Sequence, residues 1–192
     1  YKTGFTRLDG STAEVDMMRL DPEDLDDPGD VRVRSTSVSG MGHIARLPYE
    51  DDEVSAYVLV PEAIDGLPDV EAELDAETFR RWIDPIDEPG DGGDGIVVEI
   101  PKFEMRWNGS LIPALTALGM GELFDAQVCD LTGMAEGVEG DRLYVTAVIH
   151  EAFIQVDESG TEAAARTAVV GGVDSAPMSV RADRPFLFVI RD

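Results

Sequence analysis

The chain has 192 residues, enough for one domain with a real core, and its 40 Asp and Glu against 15 Lys and Arg give a formal net charge of −25. Such a surface repels nucleic acid and anionic membranes, which need Lys and Arg for neutralisation, and Lys2 and Lys102 are the only lysines. A 43% hydrophobic share arranged in periodic segments excludes a disordered acidic tail, and the single Cys129 excludes an intrachain disulfide.

Dense Asp and Glu with almost no Lys suits work in strong salt, because at about 1 M the Debye length falls to about 3 Å and self-repulsion fades. Cys129 reads as a buried, inert thiol. No stretch approaches the roughly 20 apolar residues of a membrane span, and none reads as a signal peptide.

Ala13–Leu20 reads as a strand with Val15 and Met17 on its apolar face, and the Asp- and Pro-rich Asp21–Asp30 as a loop. Val31–Val38 and Met41–Leu47 alternate around Ser39-Gly40 and predict a hairpin, and Val54–Val60, closed by Pro61, predicts a buried strand. Residues 69–84 carry helical spacing through Phe79, Trp82 and Ile83, with Asp75 as a candidate N-cap, Trp82 in the core and Asp84-Pro85 as the stop.

The run Asp87–Gly95 holds three aspartates among glycines but lacks the spaced ligands and closing Glu of a calcium loop, so it reads as a solvated acidic loop. Ile96–Trp107 reads as one long strand with Pro101 marking a bend or an edge. Ser110 is placed to cap a helix Leu111–Leu118, with Pro113 in the first turn and Gly119 as the stop. Leu143–Val156, rich in Val, Ile and Phe, predicts a strong strand. Strands and helices without βαβ alternation indicate an α+β fold with no linker between domains.

Next comes DESGTEAAARTAVVGGVDSAPMSVRAD, Asp157 to Asp183. Side chains alternate across a strand. Thr161, Ala163, Ala165, Thr167, Val169 and Gly171 form a face without charge, while Glu162 and Arg166 fall on the other. Alanine in such numbers is uncommon in ordinary strands, so the segment is able to be a strand without being committed to it.

A catalytic reading has His150, Asp174 and Ser175 as triad residue types, with His43 as a second histidine. It fails because Ser175 lies in no nucleophile elbow and directly follows Asp174 in a Gly-rich stretch. No phosphate-binding loop, HExxH or CxxC is present, and no cofactor or metal site is expected.

The order and spacing of Glu158, Gly160, Thr161, Glu162, Ala163, Ala164, Ala165 and Thr167 resemble the hinge of the serpins. Further matches are Val15, Met17 and Met18; Leu118, Gly119, Met120, Phe124, Asp130, Leu131, Thr132 and Gly133; Ile149, His150, Ala152 and Phe153; and Asp183, Pro185, Phe186, Phe188 and Ile190. The resemblance runs along nearly the whole chain. It implies a partial single serpin domain over 1–192, corresponding to the carboxyl-terminal half, with mixed and antiparallel sheets and a reactive-centre loop over 157–183.

Its implied function is suicide inhibition of an endopeptidase rather than catalysis. Counting from Gly160 forward and from Pro185-Phe186 back implies a scissile bond Asp174-Ser175, with Gly171, Gly172, Val173, Ala176 and Pro177 contacting the protease. The resemblance also makes His150 a shutter residue and pairs Lys102 with Glu158 where the loop enters the sheet. Asp174 before the cut suits an Asp-selective serine protease or a caspase-like cysteine protease; a register shifted to Val173 suits elastase-like or subtilisin-like enzymes. The family resemblance implies an extracellular or cell-surface protein, monomeric when full length. The alternatives are a non-inhibitory serpin acting as carrier, chaperone or storage protein, and an unrelated acidic binding module.

Overall fold

The computed structural model describes residues 1–21, 33–49, 53–87, 96–134, 143–157 and 179–192. These divide into two compact units, Tyr1–Phe103 with Val156–Asp192, and Glu104–Gln155.

The larger unit holds two four-stranded sheets. Strands β1 (Lys2–Thr6), β2 (Thr12–Leu20), β6 (Val97–Pro101) and β9 (Ser179–Arg181) form one, in the order β1-β2-β6-β9. Strands β3 (Arg34–Val38), β4 (Gly42–Pro48), β5 (Ser55–Pro61) and β10 (Leu187–Arg191) form the other, in the order β10-β5-β4-β3. All pairings are antiparallel except β6 with β9.

Period-two alternation builds two cores on the second sheet. Ala56, Val58 and Val60 of β5 and Ala45 and Leu47 of β4 pack with Leu20, Val98, Ile100 and Val180 of the first sheet. The alternate residues Tyr57, Leu59 and Ile44 pack on Val70, Ile83 and Ile86 of helices α1 (Leu67–Glu73) and α2 (Ala76–Asp87). Wet on neither side, β5 is buried at all seven positions, which is why its sequence is a continuous apolar run. Phe103 locks the first core edge-on to Phe186 and Phe188, with ring centroids 5.9 and 5.5 Å away.

The hairpin β3–β4 turns at Ser39–Met41 with Gly40 at φ +75°, as the Ser39-Gly40 signal predicts. Gly42 has a different reason: a Cβ there would lie 2.1 Å from the Val60 carbonyl oxygen, so β4 and β5 meet at van der Waals limit.

The single helix expected over 69–84 is two. Asp75 interrupts it because its Oδ1 accepts from the Thr78 N–H (2.7 Å) and its carbonyl from Phe79 (2.9 Å), starting α2 afresh. The expected stop at Pro85 is wrong, since α2 continues to Asp87. Only Ile86 and Asp87 follow the proline, and both are held from outside: Ile86 is buried, and Asp87 is bonded to the second sheet. Trp82 is half-buried against the helix-side core.

The smaller unit contains strands β7 (Phe103–Ser110) and β8 (Ile149–Val156), paired in a two-stranded sheet, and the short helix α3 (Ile112–Leu115). Ser110 Oγ accepts from Ile112 N–H at 3.3 Å. The helix widens into a π turn, Thr116–Met120, and Gly119 at φ +93° ends it where the glycine predicts. The strand expected over 143–156 starts only at Ile149; residues 143–148 run unpaired as strand, although Val145 N–H donates to Leu123 and Leu111 N–H to Val148. Cys129 is buried, with its N–H donated to the Asp125 carbonyl.

Candidate functional site

The predicted long strand 96–107 breaks at Lys102. β6 belongs to the four-stranded sheet and β7 to the two-stranded one, so the chain changes sheets at Pro101-Lys102. Pro101 lacks an N–H and stands opposite Met17 at the last register position, where it costs no interior ladder bond. Lys102 N–H then donates to the Asp16 carbonyl (2.8 Å), while its side chain is exposed.

The chain changes sheets a second time across 158–178. Strand β8 ends at Val156 in the two-stranded sheet, and β9 begins at Ser179 in the four-stranded one. The predicted hinge Glu158, Gly160, Thr161, Glu162, Ala163, Ala164, Ala165 and Thr167 lies outside the described residues. So do the bond Asp174-Ser175, the contacts Gly171, Gly172, Val173, Ala176 and Pro177, the 22–30 loop and residues 88–95 of the acidic run.

On β7–β8, His150 is exposed, and its ring lies 5.9 Å from the Trp107 ring, inclined by 48°. Trp107 folds over Gly109, where a Cβ would sit 2.4 Å from the indole Cζ2. The other face carries Arg106 over the Phe153 ring (4.3 Å) and Asn108 donating to Glu151 (2.8 Å). His43, on the second sheet, lies 3.3 Å from Ser37 Oγ through Nδ1. The two histidines therefore stand on different sheets. Among the described residues there is no group of three or more His, Cys, Asp or Glu able to hold a metal ion. Nor does any described helix have the length and apolar character to cross a membrane.

At the other flank, β9 has three residues in parallel register with β6: Ser179 opposite Val97, Val180 opposite Val98, Arg181 opposite Glu99. Val180 and Ala182 point into the core and are 2% and 0% exposed; burying the valine contributes about 1.5–3 kcal/mol. Ala182 N–H donates to the Glu99 carbonyl and Thr6 N–H to the Asp183 carbonyl, each at 2.8 Å.

Arg181 lies on the opposite face from Val180. Its Nη1 approaches Glu99 Oε2 at 3.5 Å, its Nη2 donates to Thr3 Oγ1 at 2.8 Å, and its Nε lies 3.5 Å from Asp183 Oδ2. Glu99 is buried and also accepts from the Tyr1 hydroxyl. Burial pushes the Tyr1 phenol above its ordinary pKa, and the hydrogen bond and charge of Glu99 act the same way. Nothing in the sequence marks this network, because Glu99 and Arg181 are 82 positions apart.

A second cluster ties α2 to the second sheet. Asp87 accepts from the Tyr57 hydroxyl (2.6 Å) and Arg191 Nη1 (2.6 Å) and lies 3.5 Å from Arg46 Nε. Arg34 Nη1 reaches the Ile86 carbonyl at 3.4 Å. Three guanidiniums thus meet the negative end of a helix that has no basic residue in its own last turn. The expectation of a solvated Asp87 is corrected: its side chain is 26% exposed and bonded to two strands.

One mixed and one antiparallel four-stranded sheet, helices packed on the latter, and a chain that leaves the mixed sheet after Pro101 and rejoins it at Ser179 define an α+β protein. The sequence model of the serpin family, described as serine protease inhibitors, matches residues 1–192, and the chain belongs to that family. It is similar to human antithrombin-III (34% identity over 192 residues, 98% of this chain and 38% of the relative) and to mouse antithrombin-III (31%, 100% and 38%). It is also similar to the leukocyte elastase inhibitor of Xenopus tropicalis, at 35% identity over 77% of this chain and 38% of the relative. Among solved structures, native protease nexin-1 with heparin shares the fold, with a TM-score of 0.71 at 23% identity over 100% of this chain and 46% of that one. The chain therefore spans 38% of the length of each of these curated relatives.

Proposed function

We propose that the full-length protein to which this chain belongs is a suicide inhibitor of endopeptidases, serine-type first. The carrying observation is that the family match extends over all 192 residues, including a 158–178 segment that links strands of two different sheets. In this reading a protease takes Gly171–Pro177 as an extended substrate and cleaves Asp174-Ser175, becoming acylated through its own Ser or Cys. The freed segment from Gly160 enters the main sheet as a strand. That insertion is the family's established behaviour; what these residues add is an inward face without charge, with Arg166 outward. An inward Arg166 would bury an unpaired charge, at a cost of several kcal/mol. Adding about 10 residues makes on the order of 20 ladder hydrogen bonds, each a net ~1 kcal/mol before ordering entropy is subtracted.

His150 serves as the shutter histidine, and Lys102, at the crossover between sheets, pairs with Glu158. Asp174 selects proteases with a basic specificity pocket, and the setting is extracellular. Incubation of the full-length protein with an Asp-selective serine protease, a caspase and a subtilisin tests this. A denaturant-stable adduct with cleavage after Asp174 is expected. Clean cleavage without adduct with all three enzymes would leave the fold standing and refute the inhibitory function.

A further inference from the structure

We propose that Arg181 is the positioning residue for the carboxyl-terminal end of the reactive segment, acting through Glu99 and Thr3. The proposal rests on the inhibitory reading above. From Ser175 to the start of β9 at Ser179 there are only four residue steps, at most about 14 Å of extended chain. Whatever holds β9 therefore holds the end of the segment presented to the protease. Yet β9 is three residues long, lies at the sheet edge and pairs in parallel with one neighbour. Such a strand depends on its side chains for its hold.

Val180 and Ala182 anchor it from the core side. On the other face Arg181 makes its approach to Glu99 of the neighbouring strand and a short hydrogen bond to Thr3 of β1, at the opposite end of the sheet order. The guanidinium thus ties the two outer strands together beside the backbone bond from Thr6 to Asp183. A planar, multi-donor head is suited to this because it serves Glu99, Thr3 and Asp183 at once; a lysine ammonium on the same stem is a point charge. Glu99 is itself held by the Tyr1 hydroxyl, which orients the acceptor.

The test uses the full-length protein with Arg181→Lys, Arg181→Ala and Glu99→Gln, and two readouts. Amide hydrogen exchange is followed at Val180 and Ala182, with Val58 and Leu59 of β5 as controls, and the ratio of covalent adduct to cleaved inhibitor is measured with a reacting protease. Loss of one charge-assisted interaction is expected to speed exchange in β9 about tenfold in Arg181→Ala, leave β5 unchanged, and shift the partition toward cleaved product. Arg181→Lys and Glu99→Gln, which keep the side-chain size, are expected to fall between. Unchanged exchange in β9 would overturn the anchoring role. Faster exchange with an unchanged adduct ratio would overturn the positioning role. If the unsubstituted protein formed no adduct with any protease, the inhibitory reading itself would fall, and the exchange data would still decide whether Arg181 anchors β9.

Discussion

Replacing Asp87 by Ala removes the acceptor that joins the end of α2 to β5 and β10. The Tyr57 bond is short and lies where the ring is packed in the core, so a charge-assisted contribution of about 1.5–3 kcal/mol applies. The Arg191 pair is worth less, about 0–1 kcal/mol, because the arginine side chain is 42% exposed. Arg46 is 14% exposed and loses a nearby carboxylate, which adds a smaller penalty. The expected loss is about 2–4 kcal/mol for Asp87→Ala and about 1.5–3 kcal/mol for Tyr57→Phe, with a coupling in the double mutant. Urea unfolding of the full-length protein, followed by circular dichroism at constant slope, measures it. In molar salt the Arg191 share should fade while the Tyr57 share persists. Burial also raises the Tyr57 phenol above its ordinary value near 10, aided by the hydrogen bond to Asp87 and its charge. With the folded value above the unfolded one, this stabilisation is complete below pH ~10 and is lost as pH rises through the folded value. Tyr57→Phe should flatten that alkaline loss. An Asp87→Ala variant within about 0.5 kcal/mol of the parent would refute the reasoning, since that is the range of an ordinary surface change.

Three further outcomes are expected. Gly42→Ala, whose new Cβ meets the Val60 carbonyl, should cost about 2–3 kcal/mol by forcing β4 from β5, read as a lower urea midpoint; a midpoint at the parent's value would mean the strands adjust freely. Thr161→Arg places a charge on the uncharged face of the hinge and should turn an inhibitor into a substrate, seen on denaturing gels as cleaved product replacing adduct; undiminished inhibition would count against insertion. The melting temperature should rise between low and molar salt, because screening relieves the repulsion of a −25 chain, and a flat or falling melting temperature would contradict salt adaptation.

Local chemistry carried much of the fold into plain view. Alternation around Ser39-Gly40 marked the β3–β4 hairpin, the run Val54–Val60 marked the buried strand β5, Asp75 marked a helix start and Gly119 a helix end. Each depends on neighbours a few residues away, so composition and spacing suffice to read it. Pro101 marked a bend or an edge for the same reason, since a residue without an N–H belongs at the end of a ladder, but not that the chain there changes sheets. The uncharged alternate face of 161–171 is likewise a property of the segment itself, and that segment lies outside the described residues.

Long-range pairing decided what local signals could not. Pro85 reads locally as a stop, but α2 passes it because Ile86 is buried and Asp87 is held by Tyr57 and Arg191, residues 30 and 104 positions away. Asp87 begins an acidic run and reads as solvated until those strands are placed beside it. The parallel register that sets Arg181 opposite Glu99, and the approach of Thr3 to the same guanidinium, exist only once the sheet has formed. Sequence by itself determined several of the segments that became strands or helices, though not all their bounds. The tertiary structure decided which charges became partners, because a hydrogen bond between residues far apart in the chain leaves no period and no spacing to read.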